Sequence, residues 1–294
     1  MTLPTSYSER RRKREFFGLA RELTSYVAAD RHGLSFLVPT RSDGKIFLKG
    51  TRWEFVVLER AVAILRAAGQ PVDGSTFVDV GAFVGTTTIP ALALHGFGRA
   101  VCVEPDRDNL RLLRANLCLN GLDHRATVLA GAASATSGSS LFLPGSRLGE
   151  LVRATKGRLT DEASTGAFRV ATLTLDDLVG RGIVDPSKTG LLWLDCQKQE
   201  LAALGAADRL IDAGVPVVFA LRQQQFQESG RTVARLMESY EHVVNLRLGG
   251  KRPASAWEGQ PVPIERLPEL AGRKALTDVL LVRDLDAQTL AAAS

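Results

Sequence analysis

The sequence has little of what metal-binding, secreted or membrane-spanning proteins require. Its three cysteines, among 294 residues, are isolated and show neither CxxC nor Cys/His ligand spacing, which argues for reduced thiols and against a zinc site. It contains no run of about eighteen apolar residues, and its basic N-terminal segment is not followed by the apolar stretch of a secretory signal. These absences predict a cytoplasmic protein with no bound metal and no membrane span.

Two common nucleotide-binding motifs are also missing. The glycine turn DVGAFVG at 79–85 is not the G-x-G-x-x-G of a dinucleotide fingerprint, and the bulky Phe83 stands where a pyrophosphate would approach the backbone. No Gly-Lys-Ser/Thr follows the turn, so a Walker-type phosphate loop is excluded. A nicotinamide-dependent oxidoreductase is therefore a weak alternative.

The charge balance favours an anionic partner only weakly. The net charge is +5, but the densest basic run, Arg10 to Arg14, is flanked by glutamates, as on a solvated helical face. A nucleic-acid or membrane-surface patch is the other interpretation of this run. Aromatic residues are not interleaved with the basic ones as base stacking requires, so nucleic acid is an unlikely partner.

What the sequence does have is an alternation of short apolar runs and amphipathic segments, with 45% apolar residues in all. Such alternation predicts a doubly wound α/β fold with a mainly parallel sheet and ligands at the carboxyl ends of its strands. Residues 1–50 are predicted to form a helix and hairpin cap, the hairpin turning at Ser42-Asp43-Gly44, and 51–294 the main domain. A Gly/Ser/Thr-rich insertion at about 134–170 is either a mobile lid or a surface loop. The predicted strands are 76–80, 100–104, 126–130, 191–195, 215–221, 243–248 and 277–283, and the predicted helices are 51–69, 86–95, 106–119, 199–213 and 229–241.

The turn after the first of these strands has the features of an S-adenosyl-L-methionine (SAM) site. Gly81 and Gly85 allow close approach of a ligand to the backbone. Asp79, before the first glycine, suits a cation such as the ammonium group of an amino-acid moiety. Glu104, nineteen residues after Gly85, ends the second strand and is placed to accept the ribose hydroxyls. The predicted cofactor contacts also include Ala82, Phe83, Thr86, Thr87, Pro105, Asn109, Ala132 and Ala133.

The chain resembles the FkbM-type methyltransferases, a branch of the class I SAM-dependent enzymes. The resemblance covers about residues 50–284 and rests on FVDVGAFVG, VEPDRDNLRLLRANLCLNG, VATLTLDDLV, the segment 191–219 beginning LLWLDCQKQE, and the closing TDVLLV. It implies a seven-stranded Rossmann-like methyltransferase sheet and methyl transfer to a hydroxyl of a natural product, sugar or glycolipid. In this family an aromatic-Glu pair lies beside the cofactor, which makes Glu54 a candidate cofactor contact and Trp53 a candidate substrate contact.

The sequence departs from the family pattern at three places that bear on chemistry. Phe83 replaces the usual asparagine of the turn, Lys198 replaces the glycine of the D-V-E/Q-G-x-E segment, and Ala220 stands near a position where an acid is common. The Lys198 side chain would either contact an anionic methyl acceptor or occupy, with its exposed aliphatic chain, the space beside the position of the family's glycine.

Two carboxylates are the candidate catalytic groups. Asp195 ends the strand LLWLD and Glu200 lies on the following turn, so either could take the proton of an acceptor hydroxyl or orient the acceptor. Alternatively, Asp195 is a helix N-cap and Glu200 a first-turn acid that the helix dipole stabilises.

The sequence thus predicts a SAM-dependent O-methyltransferase, with a small-molecule or glycosidic hydroxyl compound as acceptor and a homodimer as a possible assembly. One alternative is a SAM-binding protein that has lost catalysis and acts as a partner or regulatory subunit. Another, an RNA methyltransferase, lacks the N/D-P-P-Y-type motif expected after the fourth strand.

Overall fold

The computed structural model of the protein describes residues 7–40, 53–143, 168–247, 259–271 and 277–285. Short 3-10 turns occur at Asp123–Arg125, Pro186–Lys188 and Ile264–Arg266. The helices are α1 (Tyr7–Leu23), α2 (Trp53–Ala67), α3 (Thr88–Leu94), α4 (Arg107–Leu119), α5 (Leu175–Gly180), α6 (Glu200–Leu204), α7 (Asp208–Asp212), α8 (Gln223–Glu228), α9 (Gly230–Ser239) and α10 (Leu267–Ala271). The strands are β1 (Tyr26–Arg31), β2 (Leu34–Pro39), β3 (Thr76–Val80), β4 (Arg99–Glu104), β5 (Ala126–Ala130), β6 (Ala132–Ala133), β7 (Ser140–Leu143), β8 (Phe168–Leu173), β9 (Thr189–Leu194), β10 (Val217–Leu221), β11 (His242–Asn245), β12 (Pro261–Pro263) and β13 (Thr277–Val282).

The central sheet has eight strands in the order β12-β11-β13-β10-β9-β3-β4-β5. The five strands from β10 to β5 are parallel, and β13 runs antiparallel to both of its neighbours. This arrangement confirms the predicted doubly wound fold. The eighth strand, β12, was not predicted, because three residues with a proline at each end carry no strand pattern.

The middle of this sheet is buried on both faces. Every residue of β9 is buried, and its side chains alternate between two apolar clusters, with Leu192 and Leu194 in one and Leu191 and Trp193 in the other. Two-sided burial of this kind explains why the central strands read as continuous apolar runs. It also places their carboxyl ends side by side at one edge of the sheet.

The N-terminal region contains a hairpin that was not predicted. The strand β2 pairs antiparallel with β1, and the two strands are joined by a turn at His32 and Gly33. His32 and Gly33 have φ values of 51° and 77°, and two positive φ angles are what a two-residue hairpin turn requires. The predicted turn at 42–44 lies outside the described residues.

Two asparagine side chains, Asn116 in α4 and Asn120 at its C-terminal end, form hydrogen bonds with the edge of β2 that faces away from β1. The amide of Leu37 donates to Asn116 Oδ1 (2.6 Å), and that of Ser35 donates to Asn120 Oδ1 (3.0 Å). Both asparagines return a hydrogen bond to the same strand residue's carbonyl oxygen. The side chains therefore act as a substitute strand, and the apolar residues of β2 join the core of the main sheet.

Several predicted helices are subdivided. The segment predicted as one helix at 199–213 forms α6 and α7, separated near Gly205, and the segment at 229–241 is preceded by the additional α8. Of the insertion at 134–170, the described ends form β7 and β8, which pair antiparallel. The residues between them, on which the lid prediction falls, lie outside the described residues. None of the helices in the described ranges is long and apolar enough to cross a bilayer.

Candidate active site

Two loops meet at the carboxyl edge of the central sheet, one after β3 and one after β9. The amide of Asp195 donates to the carbonyl oxygen of Val80 (3.0 Å), which joins the two loops at their start. Gly81 has a φ of +88°, and a Cβ atom there would lie 2.8 Å from the carbonyl carbon of Asp195. Glycine is therefore needed at position 81 because the backbone of the loop after β9 leaves no room for a side chain, whether or not a ligand also approaches there.

Backbone strain is concentrated in these two loops. Phe83, Gln197 and Lys198 have positive φ values of 51°, 53° and 77°, a region that non-glycine residues rarely occupy. The family pattern has asparagine at position 83 and glycine at position 198, and these residue types tolerate positive φ values best. The backbone conformation therefore explains why the family prefers them at these two positions. Such strain persists where the surroundings impose it and is common at functional sites.

We expect Lys198→Gly to stabilise the protein by about 1 kcal/mol, because glycine adopts a φ of +77° without a Cβ penalty. Lys198 is exposed, so its removal costs little packing. The measurement is the free energy of unfolding in urea. The exposed Lys188 is the control, since its φ is not positive and Lys188→Gly should destabilise. Equal effects of the two substitutions would contradict the interpretation.

Asp79 lies fully buried beneath the glycine turn. Its Oδ2 accepts hydrogen bonds from the hydroxyls of Thr87 (2.6 Å) and Thr88 (2.5 Å), which ties the end of β3 to the start of α3. Burial raises the pKa of the Asp79 carboxyl to about 6. The sequence predicts that this carboxylate contacts a ligand's ammonium group, and the structure leaves only Oδ1 for that contact.

Glu104 ends β4 and organises the same turn from the other side. Its Oε1 accepts from the amide of Asp106 (2.9 Å) and from Asn109 Nδ2 (3.2 Å), and its Oε2 accepts from the amide of Phe83 (2.9 Å). Burial raises the pKa of the Glu104 carboxyl to about 7, against the lowering effect of these donors. Since a carboxylate oxygen can accept two hydrogen bonds, Oε2 retains one position for a ligand hydroxyl.

Three buried acceptor atoms around the turn have no hydrogen-bond partner among the described residues: Asp79 Oδ1, Asp106 Oδ2 and Asn109 Oδ1. Buried polar atoms are normally paired, so orphaned acceptors indicate a missing donor. The ammonium, ribose hydroxyl and adenine amino groups of SAM are donors. The residues present therefore fit this cofactor.

The other predicted cofactor residues lie in the turn itself, after β4, in β6 and at the start of α2. Ala82, Thr86 and Thr87 are buried within it, and Pro105 is half-buried next to Glu104. Ala132 and Ala133 form β6, directly after Gly131, whose amide donates to the Glu104 carbonyl oxygen (3.2 Å). Trp53 and Glu54 begin α2, and their side chains are outside what the structure describes.

The two candidate catalytic acids have different surroundings. Asp195 is half-buried and lines a cleft together with Val57, Trp193, Ala220 and Asp278. It does not cap a helix, since the N-cap of α6 is Gln199. Its Oδ1 accepts a hydrogen bond from Gln197 Nε2 (3.2 Å), a residue of the same strained loop.

Glu200 is fully buried in the first turn of α6. Its Oε2 accepts from Gln225 Nε2 and its Oε1 accepts from the amide of Lys198 (3.2 Å), while burial raises the pKa of its carboxyl. These contacts hold the loop after β9 in its strained form. Of the two acids, Asp195 is therefore the one that faces the cleft.

Three charged residues at this edge were missed by the sequence reading as site residues: Arg222, Arg247 and Asp278. Arg222 follows β10, and Arg247 Nε donates to Asp278 Oδ2 (3.0 Å). Asp278 is the second residue of the antiparallel β13, so it reaches the carboxyl edge of the parallel strands only through the strand order. The one available signal was the TDVLLV motif that begins at Thr277. No group of three or more potential metal ligands occurs within the described ranges.

The strand order, the glycine turn and the strand-end acid define a Rossmann-like α/β protein. A family model described as the methyltransferase FkbM domain matches residues 79–249, more than half of the chain, and the chain belongs to this family. The resemblance predicted from the motifs is confirmed.

Several solved structures are similar to the chain at low identity. A methyltransferase FkbM from Methylobacillus flagellatus is 15% identical, with 82% of this chain and 61% of that chain covered and a TM-score of 0.44. An O-methyltransferase from Bacillus cereus, in complex with SAH, is 14% identical, with 96% and 94% covered and a TM-score of 0.44. The M. jannaschii protein TYW2, in complex with AdoMet, is 12% identical, with 88% and 87% covered and a TM-score of 0.38. No curated protein sequence matches the chain.

Proposed function

We propose that the protein is a SAM-dependent methyltransferase that transfers the methyl group to a hydroxyl oxygen of a small-molecule or glycosidic acceptor. The observation that carries the proposal is the position of Asp195. Its carboxylate lines a cleft, and its backbone touches the glycine turn that is proposed to bind the cofactor. A base and a methyl donor would thus share one edge of the sheet.

The cofactor is proposed to lie along the turn after β3. Glu104 would accept a ribose hydroxyl at Oε2, and the orphaned oxygens of Asp79 and Asn109 would accept hydrogen bonds from its donors. When bound, SAM supplies the electrophilic methyl group. The protein's own contribution is a well-ordered turn, which the hydroxyls of Thr87 and Thr88 stabilise by donating hydrogen bonds to Asp79.

Asp195 is the proposed base for the acceptor hydroxyl. A positioned carboxylate at hydrogen-bond distance supplies both orientation and a proton acceptor. Glu200 is proposed to position this loop through its contact with the Lys198 amide. Lys198 and Trp53 remain proposed contacts of the methyl acceptor, and a cytoplasmic location and a homodimer remain predictions.

A second candidate is a SAM-binding protein without catalysis, acting as a partner or regulatory subunit. It is favoured by Phe83 and Lys198, which place unsuitable residues at two positive-φ positions of the site. It predicts cofactor binding without methyl transfer, which separates the two candidates experimentally.

The cofactor assignment predicts a pH-dependent affinity for S-adenosylhomocysteine (SAH). With a pKa of about 7, Glu104 is mostly protonated at pH 6 and mostly ionised at pH 8. The ionised form is a pure acceptor and makes the stronger hydrogen bonds to hydroxyl groups, so the affinity should rise by up to about tenfold between these pH values. Titration calorimetry at both pH values measures this.

Glu104→Gln should weaken SAH binding at pH 8 by about ten- to a hundredfold and remove most of the pH dependence, leaving the about twofold part that the Asp79 carboxyl, with a pKa of about 6, contributes. The exposed Glu238 of α9 is the control, and Glu238→Gln should keep both the affinity and its pH dependence. Undiminished binding to folded Glu104→Gln would refute the ribose contact. No SAH binding by the native protein would refute the proposed function itself.

A further inference from the structure

Exposed apolar side chains are concentrated where α1 ends and β1 begins. Four large apolar residues are well exposed in this short stretch: Phe16 (55%), Leu19 (63%), Leu23 (84%) and Tyr26 (47%). Elsewhere, among the side chains that the structure describes, large apolar residues reach such exposure only singly, at Leu94 and Leu119. Single exposed leucines are ordinary, whereas a group of apolar side chains on a protein surface marks an interaction site.

Three of the four residues lie on one face of α1. Phe16, Leu19 and Leu23 follow the i, i+3, i+7 spacing that brings side chains into one stripe along a helix. Ala20, beside this stripe, is buried, so α1 packs on the protein along one flank and presents the stripe outward. Tyr26 follows shortly after the end of the helix, and the four exposed residues are called the α1 surface below.

The helix that carries this surface is strongly basic. α1 contains six arginine and lysine residues against three glutamates, and five of the six are consecutive, at 10–14. The side chains of Arg12 and Arg21 are exposed. Low overall hydropathy, an excess of basic residues and an exposed stripe of Phe and Leu are combined in helices that lie in the interface of a bilayer.

The charge and the apolar stripe together favour one kind of partner. A second copy of the chain would bring two helices of the same net positive charge together, and like charges repel. A nucleic acid would attract the basic residues through its phosphates but would leave the exposed leucines in water. A bilayer with anionic lipids meets both requirements, because its headgroups are negatively charged and the region beneath them takes up apolar side chains.

The end of α1 is fixed to the part of the protein that carries the glycine turn. The hydroxyl of Thr40 donates to the carbonyl oxygen of Thr24 (2.8 Å), which ties the end of α1 to the end of β2. Asn116 Nδ2 donates both to the carbonyl oxygen of Leu37 in β2 (3.1 Å) and to that of Val84 in the glycine turn (2.8 Å). Docking through the α1 surface would therefore also set the orientation of the glycine turn relative to the partner.

We propose that the α1 surface is a membrane-docking site and that its partner is a bilayer containing anionic lipids. Leu19, Leu23 and Tyr26 enter the boundary between the headgroups and the acyl chains, and the net positive charge of α1 is attracted to the lipid phosphates. Binding of this kind is peripheral and reversible. The inference is independent of the proposed methyl transfer, because it uses neither the cofactor turn nor the cleft beside Asp195.

Vesicle flotation with the full chain tests the binding directly. The probes are vesicles of phosphatidylcholine alone and of equimolar phosphatidylcholine and phosphatidylserine. We expect the protein to float with the anionic vesicles and to remain in solution with the neutral ones. Raising the salt from about 0.1 M to about 1 M shortens the Debye length from about 10 Å to about 3 Å and should release most of the bound protein.

The double variant Leu19→Gln/Leu23→Gln tests the apolar part of the surface. Glutamine keeps the length of the side chain and the helix propensity, so α1 should still form. The affinity for anionic vesicles should fall by about tenfold or more, because two apolar side chains no longer leave water. The matched control is Leu94→Gln/Leu119→Gln, which makes the same change at the two isolated exposed leucines and should leave vesicle binding unchanged.

Hydrogen exchange of the native protein locates the contact without a variant. Addition of anionic vesicles should slow the exchange of the α1 amides. The amides of α9 are the control and should not change, because α9 packs on the other face of the central sheet from the N-terminal hairpin.

Four results would overturn the inference. They are a lack of binding to anionic vesicles, equal binding by the Leu19→Gln/Leu23→Gln variant and its control, unchanged exchange of α1, and binding to an oligonucleotide but to no vesicle. A dimer that Leu19→Gln/Leu23→Gln dissociates, seen by sedimentation velocity without vesicle binding, would assign the α1 surface to a second copy instead. A fall in the free energy of unfolding as large as that of a core substitution would show that another part of the chain covers the surface.

Discussion

Asp195→Asn is expected to lower kcat for methyl transfer by about a hundredfold or more, the usual effect of losing a positioned base. The amide has nearly the shape of the carboxylate but cannot take the proton of the acceptor hydroxyl. The affinity for SAH should stay within about twofold, because the Asp195 side chain lies in the cleft and not in the turn that is proposed to hold the cofactor. The measurements are initial rates with labelled SAM and titration with SAH.

Asp185→Asn is the matched control at the other end of the same strand. Asp185 caps the 3-10 turn before β9, and asparagine caps such turns about equally well, so kcat should not change. Glu200→Gln should lower both stability and activity, because the buried Glu200 carboxylate accepts from Gln225 and from the Lys198 amide. A kcat in Asp195→Asn equal to that of the control would exclude Asp195 as the base.

Gly81→Val should unfold the protein or destabilise it by at least about 3 kcal/mol, combining a positive φ penalty with a backbone clash. The added Cβ would lie 2.8 Å from the carbonyl carbon of Asp195 and 3.2 Å from the Cα of Cys196. Neither backbone atom can move without displacing the end of β9, which is buried on both faces. Urea unfolding, followed by circular dichroism, measures the loss.

Gly182→Val separates the two causes. Gly182 has a φ of +68° and no atom within 4 Å of an added Cβ, so valine there should cost only the φ penalty of about 1–2 kcal/mol. Equal destabilisation by the two substitutions would show that the contact with the Asp195 backbone is unimportant. The sequence alone assigns Gly81 to ligand approach and predicts a folded variant that has lost only its cofactor; the contact with Asp195 changes that expectation.

Local patterns in the sequence were sufficient for the main elements and for the family. The apolar runs that became β3, β4, β9 and β10 are recognisable because strands buried on both faces need nearly every residue to be apolar. The glycine turn and the strand-end acid Glu104 are recognisable because few residue types permit close backbone approach or accept two hydroxyls. These requirements act on neighbouring residues, so they leave a mark in a short stretch of sequence.

The tertiary structure alone decided how distant segments meet. Nothing near Gly81 in the sequence indicates Asp195 as its neighbour, because their contact depends on β3 and β9 being adjacent in the sheet. Asp278 likewise reaches Ala220 and Asp195 only because β13 runs antiparallel beside β10. Strand order and direction arise from packing over the whole core, and no local pattern of residues encodes them. The sequence by itself therefore determined the fold class, the methyltransferase family and the turn proposed to hold the cofactor, while the cleft and its second carboxylate followed only from the order of the strands.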